Sequence, residues 1–274
     1  MTKTAFQVYA ENLYEKAGDL VDEEESQISL TKYGFLLIDE VASILQQVLE
    51  ENPLSFELED FQKLAIHAIG SMQNVVLVSP CGSGKMIISL LAILVLQKVL
   101  KIPDGVGVGC QPLTSIMEEK LKDSYIPTGT ISMLGGLKSS FEDGDSEDDV
   151  VLSSPAEDFK NGKIKCLIGH AESWVTATAG GILDSLQEKG LIIFNFLDEA
   201  HIPLSGHWDT FRPLMKAVPG QLRGRAVRGS PTLAMTATLN PEECLELQKC
   251  LGLRSSNTVV LKANPIQQHH KYVR

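Results

Sequence analysis

The chain has 274 residues, 43% of them hydrophobic, and a formal net charge of −11 at pH 7. That apolar content suffices for one large domain or two small ones and excludes a disordered chain. The acidic balance excludes a protein that coats nucleic acid through bulk positive charge, so any nucleic-acid contact is expected to be local.

The opening "MTKTAFQVYAENLYEKAG" lacks the apolar core of a secretory signal. Cysteines at 81, 110, 166, 244 and 250 form no C-x-x-C pair. Both features predict an intracellular, reducing setting without zinc: the nucleus in a eukaryote, otherwise the cytoplasm. Residues 1–52 read as a helical N-terminal extension, because "FLLIDEVASILQQVLEE" repeats its apolar residues every three or four positions. Within it, "LLIDE" imitates an apolar strand ending in two acids, but its period is helical, and Asp39 and Glu40 are expected on a solvated helix face.

From Gln73 onward, short runs rich in β-branched residues alternate with helical stretches: "NVVLVSP", "VGVGCQP", "KIKCLIGH", "LIIFNFLDE", "TLAMTAT" and "NTVVLKA". Near-continuous apolar strands separated by helices predict an α/β fold, a parallel sheet with helices on both faces, over 53–274. The longest apolar run, Met86 to Leu96, is too short for a membrane span and is interrupted by Ser89, so a buried helix is expected and no membrane partner. Near 141–158 the acids Glu142, Asp143, Asp145, Glu147, Asp148 and Asp149 predict a mobile surface loop kept open by like charges.

Two stretches carry chemistry. In "NVVLVSPCGSGKMIISLL" a strand precedes a glycine turn and a helix follows it. Such a turn lets backbone N–H groups approach phosphates, adds the helix's positive end, and lets Lys85 reach the outer phosphates. Pro80, Cys81, Gly82, Ser83, Gly84, Lys85 and Met86 are the candidate phosphate-binding residues, with Ser79 in place of the pattern's first glycine. Met86 stands where a hydroxyl coordinates magnesium, and a thioether is too soft to replace a hard oxygen there. The second stretch, "LIIFNFLDEAH", ends a strand in two adjacent carboxylates. Asp198 is expected to hold Mg²⁺ through water and Glu199 to polarise the attacking water.

The order of motifs resembles superfamily 2 helicases and, within them, the RecQ-like DNA helicases. The matching pieces are "DFQKLAIHAI", "SPCGSGK", "CQPLTSIMEEKL", "GHAESW", "LDEAH" and "AMTATL", and the most RecQ-like is "DEAHIPLSGHWDTFRP". The resemblance covers about Phe56 to the C-terminus and implies a RecA-like, ATP-binding domain. It implies that Gln62 reads adenine and that His201 links the acids to the Thr236 and Thr238 strand end. By the same likeness Pro112 and Thr114 contact DNA, and His207, Trp208, Phe211 and Arg212 belong to a loop coupling DNA to hydrolysis. A loop aromatic stacking on a base is worth about 1–3 kcal/mol; a core position is the other reading of Trp208. Arg223, Arg225 and Arg228, in the glycine-broken "QLRGRAVRGS", could touch phosphates, but a solvated loop is the preferred reading.

The sequence departs from that family at the nucleotide. Besides Met86, Cys81 replaces a usual threonine, Glu59 a usual arginine, and Trp208 follows His207 instead of preceding it. No second RecA-like domain, zinc-binding domain or winged helix is recognisable. The implied ligands are ATP and Mg²⁺, and the implied partners are single-stranded or forked DNA and a second RecA-like domain in cis or trans. Such a domain supplies an arginine worth about 10³–10⁵ in rate in related systems, so the domain by itself is expected to hydrolyse ATP slowly or not at all. The alternative is a non-catalytic pseudo-helicase that binds nucleotide or a partner.

Overall fold

The computed structural model describes residues 40–111, 128–130, 163–204 and 214–263. Residues 40–51 (α1) are helical. In chain order there follow α2 (Asp60–Gly70), β1 (Asn74–Val78), α3 (Lys85–Leu100), β2 (Val106–Cys110), β3 (Thr128–Thr130) and β4 (Cys166–Gly169). Next come α4 (Ala171–Trp174), α5 (Ala177–Glu188), β5 (Ile192–Leu197), α6 (Leu214–Arg225), β6 (Thr232–Thr236), α7 (Pro241–Cys250) and β7 (Thr258–Lys262). The strands form one seven-stranded sheet in the order β3-β4-β2-β5-β6-β1-β7. Every pairing in it is parallel.

The two-residue period of each strand divides its side chains between two cores. On one face Val75 and Leu77, with Leu233 and Met235, pack against α1, α2 and α3; on the other, Val76 and Ala234 meet α4 to α7. At β5 the alternation slips: Ile193 and Phe194 both join the first core, at a bulge where the register with β2 jumps from Ile192 to Phe194. Helix α3, apolar nearly all round, is buried from Ile87 through Ile93 between the sheet and its helical cover, as an all-apolar helix must be. Among the described residues, no helix is long and apolar enough to cross a membrane.

In α1 the buried positions are Val41, Leu45 and Val48, and Glu40 is an exposed helical residue. A Cβ on Gly70 of α2 would lie 2.6 Å from Val41 Cγ1, which shows how closely the two helices approach. Thus residues 40–51 share the first core with α2 and α3. Asp39 and the rest of 1–39, and the acidic stretch 141–158, lie outside the described residues.

The expected loop at "QLRGRAVRGS" is corrected in its first half, where α6 runs through Arg223 to Arg225 despite Pro219, Gly220 and Gly224; the second half is a loop, with Arg228 exposed in a turn. Burial of Val218 and Leu222, one helical turn apart, overrides those weak helix formers. Arg223 Nη1 donates to the carbonyls of Leu251 and Gly252, and Arg225 pairs with Asp184 at 3.0 Å. The segment then leads to the start of β5, where the Val227 N–H donates to Ile192 O. Arg223 and Arg225 therefore tie helices together near the strand starts, at the end of the sheet opposite the strand-end residues described next.

Candidate functional site

The site lies along the C-terminal edge of the sheet, where backbone hydrogen bonds continue past the strands and fix the loops. The Ser79 N–H donates to Thr236 O, joining the loop after β1 to the end of β6 at 2.9 Å. The Ala200 N–H reaches Met235 O at 2.8 Å, and the Asp198 N–H reaches Cys110 O at 3.0 Å. The turn after β5 is thereby held between the ends of β2 and β6.

Between Val78 and Lys85 the chain makes a compact turn. Gly82 and Gly84 have φ of 78° and 72°, a left-handed geometry that glycine adopts without a Cβ penalty. Ser83 Oγ lies 3.0 Å from Ser79 Oγ. Lys85 Nζ folds back on the loop and donates to Ser79 O at 3.0 Å and Pro80 O at 2.9 Å. An ammonium held by two carbonyls at a helix N-terminus marks where an anion's negative charge would be accepted.

Gln62, 4% exposed, ties α2 to this turn. Its Oε1 accepts from the Glu59 N–H at 2.9 Å and its Nε2 donates to Ser83 O at 3.0 Å. A Cβ on Gly84 would lie 2.6 Å from that Nε2, so glycine is also needed here for the close approach of the amide. Gln62 thus braces the loop, with one N–H of its amide beyond these two bonds. Glu59 is exposed and precedes the first turn of α2.

After β5, Asp198 is 8% exposed and its Oδ1 accepts from the Glu199 N–H at 3.0 Å. Glu199 has φ 51°, strained for a residue with a Cβ, and such strain persists where surrounding structure enforces it. His201 Nδ1 lies 2.9 Å from Thr236 Oγ1 and 3.4 Å from Glu199 Oε2. Thr236 Oγ1 also lies 3.4 Å from both the carbonyl oxygen and the N–H of Thr238. The network is satisfied when His201 Nδ1 carries the proton and Thr236 turns its hydroxyl hydrogen toward Thr238 O.

Met86, in the first turn of α3, packs on the first core. Gln111, immediately after β2, brings Nε2 to 3.5 Å from Met86 Sδ, while its Oε1 is buried without a hydrogen-bond partner. Within "CQPLTSIMEEKL" the sequence gives Gln111 one signal only, its place at a strand's C-terminal end. For a magnesium ion, which keeps several waters and takes few protein ligands, the described residues offer the Asp198 carboxylate and this amide oxygen, both hard oxygens suited to accept from the metal's waters. Among the described residues no group of three or more His, Cys, Asp or Glu is arranged to hold a metal.

Trp174, in "GHAESW", is 2% exposed and its Nε1 donates to Gly109 O and Gly169 O at 3.1 and 3.2 Å. It locks β4 to β2 under the site. Pro112, Thr114, His207, Trp208, Phe211 and Arg212 lie outside the described residues.

The family model for the DEAD/DEAH box helicase matches residues 59–247. Among solved structures, the DUF1998 helicase MrfA bound to DNA superposes with a TM-score of 0.53 at 18% identity, over 81% of this chain and 29% of that one. MrfA in a second structure gives a TM-score of 0.47 at 17% identity, over 82% of this chain and 32% of that one. The chain therefore spans about a third of the length of MrfA, and the first likeness shows the RecA-like helicase fold. No curated protein sequence matches the chain. The family match takes in the glycine turn, the strand-end acids and the β6 hydroxyls in one continuous stretch over more than half the chain, and on that ground the chain belongs to the DEAD/DEAH box helicases.

Proposed function

We propose that this chain is the N-terminal RecA-like, ATP-binding domain of a RecQ-like DNA helicase. With Mg²⁺ it binds ATP on Lys85 and the amides of 80–86, and Asp198 holds the metal through water. Glu199 orients the attacking water, and a second RecA-like domain, in cis or trans, completes hydrolysis and couples it to unwinding of single-stranded or forked DNA. The observation that carries this reading is the His201–Thr236 contact of 2.9 Å, which joins the turn bearing both acids to the end of the strand beside the phosphate loop. Domains of the DEAD/DEAH family bind ATP, and MrfA, which shares the fold, has been solved with DNA. The RecQ-like assignment rests on "GHWDTFRP" after the acids. The intracellular setting proposed with it rests on the sequence alone, on five cysteines without a C-x-x-C pair.

The test is calorimetric binding of Mg-ATP to the chain and to Lys85→Ala. Loss of a charge-assisted hydrogen bond of about 1.5–3 kcal/mol should weaken affinity by at least roughly tenfold. Equal affinity in the two proteins would remove Lys85 from the site. Absence of binding in both would favour the second reading, a non-catalytic partner-binding module, which the thioether at Met86 favours. DNA-stimulated hydrolysis that stays at background when a second RecA-like domain is supplied would remove the helicase part of the proposal.

A further prediction concerns Cys81, which is exposed in the phosphate loop, with Cys250 as an exposed control on α7. Saturating Mg-ATP should slow maleimide labelling of Cys81 about tenfold or more and leave Cys250 unchanged. Mass spectrometry of the labelled peptides reads both sites, and equal labelling of Cys81 with and without nucleotide would contradict the site. Cys166 should resist throughout, since burial pushes its thiol pKa far up and keeps it protonated.

A further inference from the structure

Gln111 is 1% exposed, and its backbone N–H is engaged by Gly169 O at 2.9 Å. Its carboxamide is poorly served: the NH₂ faces the weak thioether acceptor of Met86, and the oxygen has no partner. The two ends of an amide exchange by a half-turn about the last side-chain bond. In neither orientation does a methionine sulfur satisfy the oxygen. A buried acceptor left in this way costs about 1–3 kcal/mol, so it calls for a ligand. The other buried side chains with an unpartnered polar atom among the described residues, Asn195, Thr232 and Gln248, lie within β5, at the start of β6 and on α7. Only Gln111 lies at the phosphate edge.

Its position there is specific. Gln111 follows Cys110, whose carbonyl holds the backbone of Asp198, and its side chain reaches Met86 in the first turn of the helix after the phosphate loop. Met86 is where a hydroxyl would coordinate magnesium, so the amide stands beside the place where an oxygen is missing, one residue after the carbonyl that accepts from the Asp198 N–H, and a half-turn of the amide presents its oxygen there. We infer that Gln111 is a magnesium-site residue. Its carboxamide oxygen accepts a hydrogen bond from the metal-bound water that fills the position left by the absent hydroxyl. A carboxamide oxygen is a hard, neutral acceptor suited to that water, which the thioether is not.

The inference rests on the nucleotide reading above, and the experiment separates the two. The quantity measured is the ratio of affinities for a non-hydrolysable ATP analogue with magnesium and with EDTA, by calorimetry. Gln111→Met keeps volume and apolar contact with Met86 but removes the oxygen, and should lower the ratio about tenfold or more while leaving affinity in EDTA unchanged. Met86→Thr restores a direct ligand, and in that background Gln111→Met should change the ratio less than about threefold. Gln111→Glu, which strengthens the acceptor, should raise the ratio, and its readout holds even if Gln111→Met fails to fold.

An unchanged ratio in Gln111→Met or Gln111→Glu, or an equal loss in EDTA and in magnesium in both Met86 backgrounds, would make Gln111 a structural strut and overturn the inference. So would nucleotide binding that magnesium does not enhance, although the nucleotide reading would survive. No binding by the parent chain or Lys85→Ala under any condition would overturn both.

Discussion

Gly109→Val is expected to destabilise the domain by about 3 kcal/mol or more, the upper end of what overpacking a core costs. Gly109 lies inside β2, where a Cβ would be driven into the ring of Phe196, the neighbouring residue on β5. That ring cannot move aside: it is 1% exposed and stacks on Phe194 with centroids 5.8 Å apart. Gly107, two residues earlier, makes the same allowance for Ile93 of α3. Glycine is a poor strand former, so its presence twice in β2 is explained by the volume that Phe196 and Ile93 take. Against a typical total stability of about 5–15 kcal/mol, such a loss leaves little margin. A double-mutant cycle sharpens the test. Phe196→Ala alone should cost about 3–5 kcal/mol, and Gly109→Ala combined with it should cost less than the sum by about 0.5–3 kcal/mol, because the truncated ring vacates the space. Urea unfolding at constant m-value measures each term; additivity within about 0.5 kcal/mol would show that Gly109 does not accommodate that ring.

The parallel sheet is legible in the sequence because six of its seven strands are apolar runs buried on both faces. β3 is not, since Thr128–Thr130 is three residues without an apolar run and is recruited by pairing with β4. Strand order is illegible for a related reason: the β2-to-β5 and β1-to-β6 neighbours arise from how crossovers pack, not from any local pattern. At α6, local chemistry points the wrong way, because two glycines and a proline say turn while the burial of Val218 and Leu222 decides for helix. The glycine turn and the acid pair are legible as types of residue at a strand end. What the amide NH₂ groups of Gln62 and Gln111 face is not, because Ser83 and Met86 lie 21 and 25 positions away in sequence and come within reach only in the fold. His201 and Thr236, 35 positions apart in sequence, meet only because β5 and β6 are adjacent.

Glu199→Gln is expected to lower DNA-stimulated ATP hydrolysis, measured with a second RecA-like domain present, by about 10²–10⁴-fold, the usual contribution of a positioned general base. The substitution keeps shape and backbone while removing the negative charge that polarises water. Lys85, Asp198 and the loop amides are untouched, so Mg-ATP affinity should change by less than about threefold. Thermal unfolding should also stay nearly constant, because the φ of 51° at this residue is imposed by the Ala200 N–H on Met235 O and by the Asp198 carboxylate on the Glu199 N–H, which glutamine retains. Glu199→Gly should relieve that left-handed strain, worth roughly 1–2 kcal/mol, against roughly 0.5–1 kcal/mol of extra chain entropy lost on folding. Stability would then hold or rise as hydrolysis falls, the pattern expected where a strained backbone is kept for chemistry. Hydrolysis by Glu199→Gln at the parent rate would exclude Glu199 as the base. A matching loss in nucleotide affinity would instead place its carboxylate in binding. His201→Ala separates the two further: with the 2.9 Å link to Thr236 gone, basal hydrolysis should persist while stimulation by DNA is lost.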